Sequence, residues 1–191
     1  MQNGKRIGLR QCSLRTHYSV LSTLHSSFLH FLQRAAGVTE RIHVSQSAEN
    51  TLALGERIGR AAMPGDVVAL FGGLGAGKTV LAKGILRGLG GDPDDAASPT
   101  FTLLRQYPAR LLLHHFDAYR LAAPRELLDI GAEEAFYGDG ICVIEWAERV
   151  LEVLPADRLE VHLQVSGESL REVRLSAAGP RADALLNRLG L

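Results

Sequence analysis

Gly72-Gly73-Leu74-Gly75-Ala76-Gly77-Lys78-Thr79 fits the pattern G-x-x-x-x-G-K-[ST] at every position. A loop of this kind binds nucleotide phosphates. Its glycines allow backbone angles closed to other residues, so successive N–H groups can turn inward on phosphate oxygens. A helix that follows directly adds the partial positive charge of its N-terminus. In this pattern the Lys78 ammonium reaches the β- and γ-phosphates, and the Thr79 hydroxyl ligates Mg²⁺. The candidate nucleotide-binding residues are Gly73, Leu74, Gly75, Ala76, Gly77, Lys78 and Thr79.

Magnesium and an attacking group also need carboxylates at strand ends that face the loop. Asp117 closes the run LLLHHFD and Glu145 closes ICVIE. Each is an apolar strand delivering one acid at its C-terminal end, where ligands sit in α/β sheets. Taken alone, either acid reads equally well as a solvated strand end or half of a salt bridge. Beside a loop that needs such acids, the pair reads as part of the site. His114 and His115 are neighbours on one strand and face opposite sides of it, so they share no metal. One reads as a core histidine and the other as approaching the nucleotide, with no role given to either. Trp146 reads as a packing residue beside the site. No N-K-x-D motif for guanine is present and the chain has three asparagines, Asn3, Asn50 and Asn187, which favours adenine; no L-S-G-G-Q run of a transporter ATPase is present.

The elements that must position these residues follow from periodicity and punctuation. Val67–Phe71 and Ile141–Ile144 are apolar throughout and belong in the middle of a sheet. Ile42–Val44 is a short candidate strand, and Ser47 can cap a helix from Ala48 to about Ala62, with Leu52, Gly55, Ile58, Gly59 and Ala62 on a small-residue face. A helix from Lys78 to about Leu89 stops at Gly90-Gly91. Phe101–Tyr107 and Leu111–Phe116 read as a hairpin joined by Pro108-Ala109-Arg110. Pro124–Leu128 and Ala132–Phe136 are short helical pieces. Arg158–Val165 and Arg171–Ser176 alternate as strands around Gly167-Glu168-Ser169, and Arg181–Leu189 is a final helix. The sum is α/β: a single P-loop NTPase-like domain with a mixed central sheet flanked by helices.

Composition narrows the partners. Lys plus Arg total 21 and Asp plus Glu total 21, giving a formal charge of zero. A domain that grips DNA or RNA by phosphate neutralisation needs a basic surplus. No apolar run approaches the roughly 20 residues that span a bilayer. Cys12 and Cys142 are the only cysteines, and Cys142, inside Ile141–Ile144, reads as a buried thiol, which suits a reducing cytoplasm. Residues 1–39 hold Lys5, Arg6, Arg10, Arg15 and Arg34 and no acid. This acid-poor, Ser-rich stretch is read as an N-terminal extension, poorly ordered or translated from an upstream start, with a targeting or docking segment as the other reading. The expected division is residues 1–40 as extension and 41–191 as the ATPase domain.

In order along the chain, GGLGAGKT, SPTFTL (98–103), HFDAYRL (115–121), the L-D-I-G of an L-x-D-I-G segment (128–131) and ICVIEW (141–146) resemble the bacterial tRNA threonylcarbamoyladenosine biosynthesis protein TsaE family. The resemblance runs from about Val44 to the C-terminus. It implies a cytoplasmic, Mg²⁺-dependent ATPase that acts with a TsaB–TsaD pair in forming threonylcarbamoyladenosine at position 37 of tRNAs reading ANN codons. In that picture TsaD performs the transfer, and tRNA is met only through the complex. By the resemblance, Thr79 and Glu145 are the Mg²⁺ ligands, Asp117 is the acid implicated in hydrolysis, Thr100 lies in a switch-like loop near the γ-phosphate, and Arg171 lies near the nucleotide. The catalytic set is then Lys78, Asp117, Glu145 and Thr100. Val80 stands where a second threonine is frequent, a helix position without effect on chemistry.

Two other readings stay open on the residues themselves. A small P-loop kinase acting on a metabolite needs an arginine-bearing lid, and Arg120–Gly140 is the only room for one. A binding module that never hydrolyses ATP has no use for Asp117 and Glu145. Arg105, Arg120 and Arg125 are the candidates for an arginine finger but read rather as surface charges or partner contacts, so hydrolysis without a partner is expected to be slow.

Overall fold

Strands that are apolar on both sides have no face to give to water, and they take the centre of the sheet. In a computed structural model of the chain, which describes residues 39–191, seven strands form one sheet. They are β1 (Glu40–Ser45), β2 (Val67–Phe71), β3 (Leu104–Tyr107), β4 (Leu113–Asp117), β5 (Ile141–Glu145), β6 (Leu159–Val165) and β7 (Arg171–Ala177). The order across the sheet is β1-β7-β6-β2-β5-β4-β3. β2 and β5 are buried at every position and pair with each other in parallel. β6 and β4 extend this parallel core on its two sides. Antiparallel partners complete the edges, β7 and β1 beyond β6, and β3 beyond β4. The mixed α/β sheet expected from the sequence is present.

Strand parity divides the core into two layers. Val68 and Leu70 of β2 and Ile141 and Val143 of β5 pack with α1 (Ala48–Ala61), α2 (Lys78–Gly88) and the last helix, Pro180–Arg188. Val67, Ala69, Phe71, Cys142 and Ile144 face the other way. They pack on α3 (Glu126–Asp129), α4 (Ala132–Phe136) and two 3₁₀ turns at Ala147–Arg149 and Leu151–Val153. Burial pushes the Cys142 thiol up to about 12, so it is an inert core thiol, as its apolar neighbours suggest.

The expected elements hold with two shifts. β3 begins at Leu104 rather than Phe101, because the Pro99 carbonyl accepts from both Thr102 N and Leu103 N and turns the chain, with Leu103 at φ 63. Phe101 is left 82% exposed, its ring 4.2 Å from the Arg120 guanidinium. On β1, Ile42 and Val44 face outward while Ser45 is buried, so the edge strand's apolar residues are on its solvent side. Residues 1–38 and the readings made on them lie outside the described residues. At the start of the described chain, the Thr39 carbonyl accepts from Ala177 N.

Ser47 caps α1 by accepting from Asn50 N at 3.1 Å. The small-residue face of α1 brings it into backbone contact with α2. A Cβ on Gly59 would lie 2.1 Å from the Ile85 carbonyl oxygen, and one on Gly84 would lie 2.1 Å from that of Leu52. Alanine is the better helix former by about 1 kcal/mol, so a loss of stability on adding one methyl reports the contact. Gly59→Ala should lower stability by about 1–3 kcal/mol, read as a lower urea midpoint. Arg60→Ala, on an exposed side chain of the same helix, should stay within about 0.5 kcal/mol of the parent.

Candidate nucleotide-phosphate site

β2 ends at Phe71, and the chain turns at once through 72–77 into α2. Gly72 (φ +137) and Gly77 (φ +109) take angles that strain any side chain, and a Cβ at Gly72 would also lie 2.4 Å from the Leu163 carbonyl oxygen of β6. The loop is pressed on β6 there and then stands out, with Gly73, Leu74 and Gly75 exposed. α2 begins with no side-chain cap and no acid in its first turn. Its first N–H groups have no partner within the helix and carry the positive end of its dipole. Together these elements form one wall of a cleft of about 270 Å³. Residues 74–80, Ser98, Thr100, Asp117, Glu145 and Trp146 line it.

Parity brings the acids to this cleft. Asp117 lies opposite Glu145 in the parallel β4–β5 register. Both face the α1–α2 layer, as do Ile141, Val143 and Leu113, two and four residues earlier. Both are buried, 1% and 2% exposed. Glu145 Oε2 accepts from the Thr79 hydroxyl at 3.0 Å, and Glu145 Oε1 lies 2.9 Å from His115 Nε2. Asp117 Oδ2 accepts from Ser98 Oγ at 3.0 Å and Thr100 Oγ1 at 2.5 Å, and Asp117 Oδ1 accepts from Tyr119 N at 2.8 Å. A single carboxylate so fastens the Ser98-Pro99-Thr100 segment to the end of β4.

Lys78 is buried, and its ammonium donates to the carbonyls of Gly72 at 2.5 Å and Gly73 at 3.0 Å. It lies 3.5 Å from the centroid of the Trp146 ring, which Tyr119 flanks on another side at 4.9 Å. Burial lowers the Lys78 pKa, and the carboxylates of Glu145, Glu148 and Asp117 oppose that shift. Trp146 itself sits at φ 58, a conformation uncommon outside glycine.

Ten of the eleven residues expected from the sequence therefore gather in one place: residues 73–79 in the loop and first turn, Thr100, Asp117 and Glu145. Arg171 differs. Its guanidinium donates to the carbonyls of Ala76 at 3.2 Å and Gly75 at 3.3 Å, and to Leu170 O at 2.9 Å. It braces the loop from β7 and is not among the residues that line the cleft. Arg105, Arg120 and Arg125 are exposed and line it no more than Arg171 does. Sequence reasoning passed over Ser98 and the contact of His115 with Glu145. Trp146, read as a packing residue beside the site, and Val80 also line the cleft.

The donors present suit Mg²⁺. It takes hard oxygen ligands, commonly one or two from protein with the rest from water and phosphate. Thr79 Oγ1 and Glu145 Oε2 are a hydroxyl and a carboxylate side by side at the base of a phosphate loop.

The family model for threonylcarbamoyl adenosine biosynthesis protein TsaE matches residues 45–173. The chain belongs to the TsaE family. A TsaE of Treponema pallidum, a tRNA threonylcarbamoyladenosine biosynthesis protein, is 47% identical over 133 residues, 70% of this chain and 98% of the relative. The TsaE of Bacillus subtilis is 40% identical over 142 residues, 74% of this chain and 88% of the relative. The crystal structure of Bacillus subtilis YdiB superposes with a TM-score of 0.69 at 34% identity, covering 80% of this chain and 95% of that one. The TsaE match spans the phosphate loop, both strand-end acids and Arg171.

Because Ser98 and Thr100 both donate to Asp117, its removal should free the segment that carries them. Asp117→Ala is expected to accelerate amide hydrogen exchange across residues 98–103 while β2 and β5 stay protected. Unchanged exchange in that segment would show that Asp117 does not hold it.

Proposed function

We propose that this TsaE-family chain is the ATP-binding and ATP-hydrolysing subunit of the machinery that makes threonylcarbamoyladenosine on tRNA, acting in the cytoplasm with TsaB and TsaD. The observation that carries the reading is the meeting of the phosphate loop, Lys78, Thr79 and two buried strand-end acids in one cleft. Among the described residues no helix is long and apolar enough to cross a membrane. The formal charge of zero favours a subunit that docks on proteins and reaches tRNA through them.

In this reading the loop N–H groups and the α2 N-terminus bind the phosphates, and Lys78 pairs with the β- and γ-oxygens. Thr79 and Glu145 would hold Mg²⁺, which neutralises charge on the transferring phosphate. Asp117 orients the attacking water and draws its proton as the new bond to the γ-phosphorus forms and the bond to ADP breaks. Thr100, held by Asp117, closes the γ-phosphate side. Trp146 and Tyr119 shield the lysine from solvent, which strengthens its pairing with phosphate.

A metabolite kinase is less well supported. The stretch that would supply its lid folds into α3 and α4, whose Leu127, Ala132, Ala135 and Phe136 pack into the layer facing away from the acids. No arginine of that stretch lines the cleft.

Two measurements test this function. Purified chain should release phosphate from ATP without a small-molecule acceptor, faster with TsaB and TsaD added, and Lys78→Ala should cut the rate by at least about 100-fold. In a strain depleted of its own TsaE, the parent chain should restore the threonylcarbamoyl mark on tRNA and Lys78→Ala should not. Phosphoryl transfer to a metabolite would overturn the assignment. A chain trimmed of residues 1–38, which keeps Thr39, should retain ATP turnover; a soluble but inactive trimmed protein would place the preceding segment in the function.

A further inference from the structure

His115 is wholly buried and touches one of the two acids, yet the roles above leave it without a task. It lies opposite Val143 in the parallel register, so its ring reaches diagonally along the ladder to Glu145. A carboxylate only accepts, so His115 Nε2 carries the hydrogen of this 2.9 Å contact. The other ring nitrogen, Nδ1, is buried and has no hydrogen-bond partner. The Tyr107 ring lies with its centroid 6.4 Å from that of His115, and its hydroxyl accepts from Ala97 N and donates to Ala97 O.

Packing alone does not ask for a histidine here. Phenylalanine or leucine would fill the space without stranding a polar atom, which costs on the order of 1–3 kcal/mol. What the imidazole adds is a donor to Glu145 Oε1, on the opposite oxygen from the one that Thr79 engages. One bond fixes each oxygen, and together they set the rotation of the carboxylate.

We infer that His115 is the positioning residue for Glu145: by holding Oε1 from within the sheet, it keeps Oε2 beside the Thr79 hydroxyl and so builds the pair that takes up the divalent ion of the nucleotide complex. The inference rests on the reading of Thr79 and Glu145 as ion ligands. Partners of this kind, standing behind a metal ligand, typically change metal affinity by 10–100-fold when removed.

The test is the Mg²⁺ concentration needed for half-maximal binding of a fluorescent ATP analogue to the full chain, measured beside the affinity for the same analogue in EDTA. His115→Phe should raise the Mg²⁺ requirement by about 10-fold or more and leave the affinity in EDTA unchanged. His115→Gln, whose amide can reach Glu145, should recover most of the loss. Should the phenylalanine variant not fold, His115→Gln and His115→Asn are compared instead. The shorter asparagine must then need more Mg²⁺ than glutamine does. A folded His115→Phe with the parental Mg²⁺ requirement overturns the inference, as does equality of the parent, Gln and Asn proteins. Glu145→Gln separates the two levels. If it raises the Mg²⁺ requirement and His115→Phe does not, only the role of His115 falls; if neither does, the ligand assignment falls with it.

Discussion

Two carboxylates side by side at the ends of adjacent strands, both out of water, are the arrangement on which the rest of the structure depends. Each buried ion carries a desolvation penalty of about several kcal/mol unless its oxygens are hydrogen-bonded and its charge is met. All four oxygens of Asp117 and Glu145 have donors: Ser98, Thr100 and Tyr119 N on one, Thr79 and His115 on the other. These donors come from α2, from the 98–100 segment, from within β4 and from the turn that follows it. The acids are therefore also fasteners, joining the phosphate helix and a loop to the sheet. The Lys78 ammonium, whose pKa they help to raise against burial, is the nearby cation that binds helix and acids electrostatically.

Holding such donors within hydrogen-bond distance needs rigid supports. α2 carries Lys78 and Thr79 on its first turn, and its position is fixed by contact with α1 at Gly55, Gly59, Gly84 and Gly88, where no side chain separates the backbones. Helices that touch through backbone have little freedom to slide, and the sheet beneath fixes their distance from β5. The loop ahead of α2 is pinned at both ends. Gly72 lies against β6, and Arg171 reaches from β7 to the carbonyls of Gly75 and Ala76. Between these anchors Gly73, Leu74 and Gly75 are exposed to solvent.

Much of the fold was legible because its signals are local. Unbroken apolar runs gave β2 and β5, alternation gave β6 and β7, and Ser47 marked the start of α1. The miss at β3 has a local cause of a less visible kind. Phe101 and Leu103 have strand-like side chains, but the Pro99 carbonyl captures two N–H groups and turns the chain before pairing with β4 begins. Ile42 and Val44 look like inward residues and face out, because β1 is an edge strand whose buried set ends at Ser45.

The site was legible to the extent that motif and strand ends define it. The loop motif and the terminal acids of two apolar strands are the residues that the structure brings to one cleft. The partners of those acids were harder to read, since a hydrogen bond between β4 and β5 depends on a register that no single strand states. Parity within β4 does carry part of the answer: His115 is two residues before Asp117 and so shares its face. What decides the matter is that β4 and β5 run parallel with Asp117 level with Glu145, which leaves His115 one step behind and within reach. Arg171 shows the same limit from the other side. A guanidinium close in space to a phosphate loop can be there for phosphate or for the loop, and in the structure its acceptors are the carbonyls of Ala76, Gly75 and Leu170. A positive side chain hydrogen-bonded to backbone carbonyls in this way contributes order to the loop that leads into Lys78 and the first turn of α2.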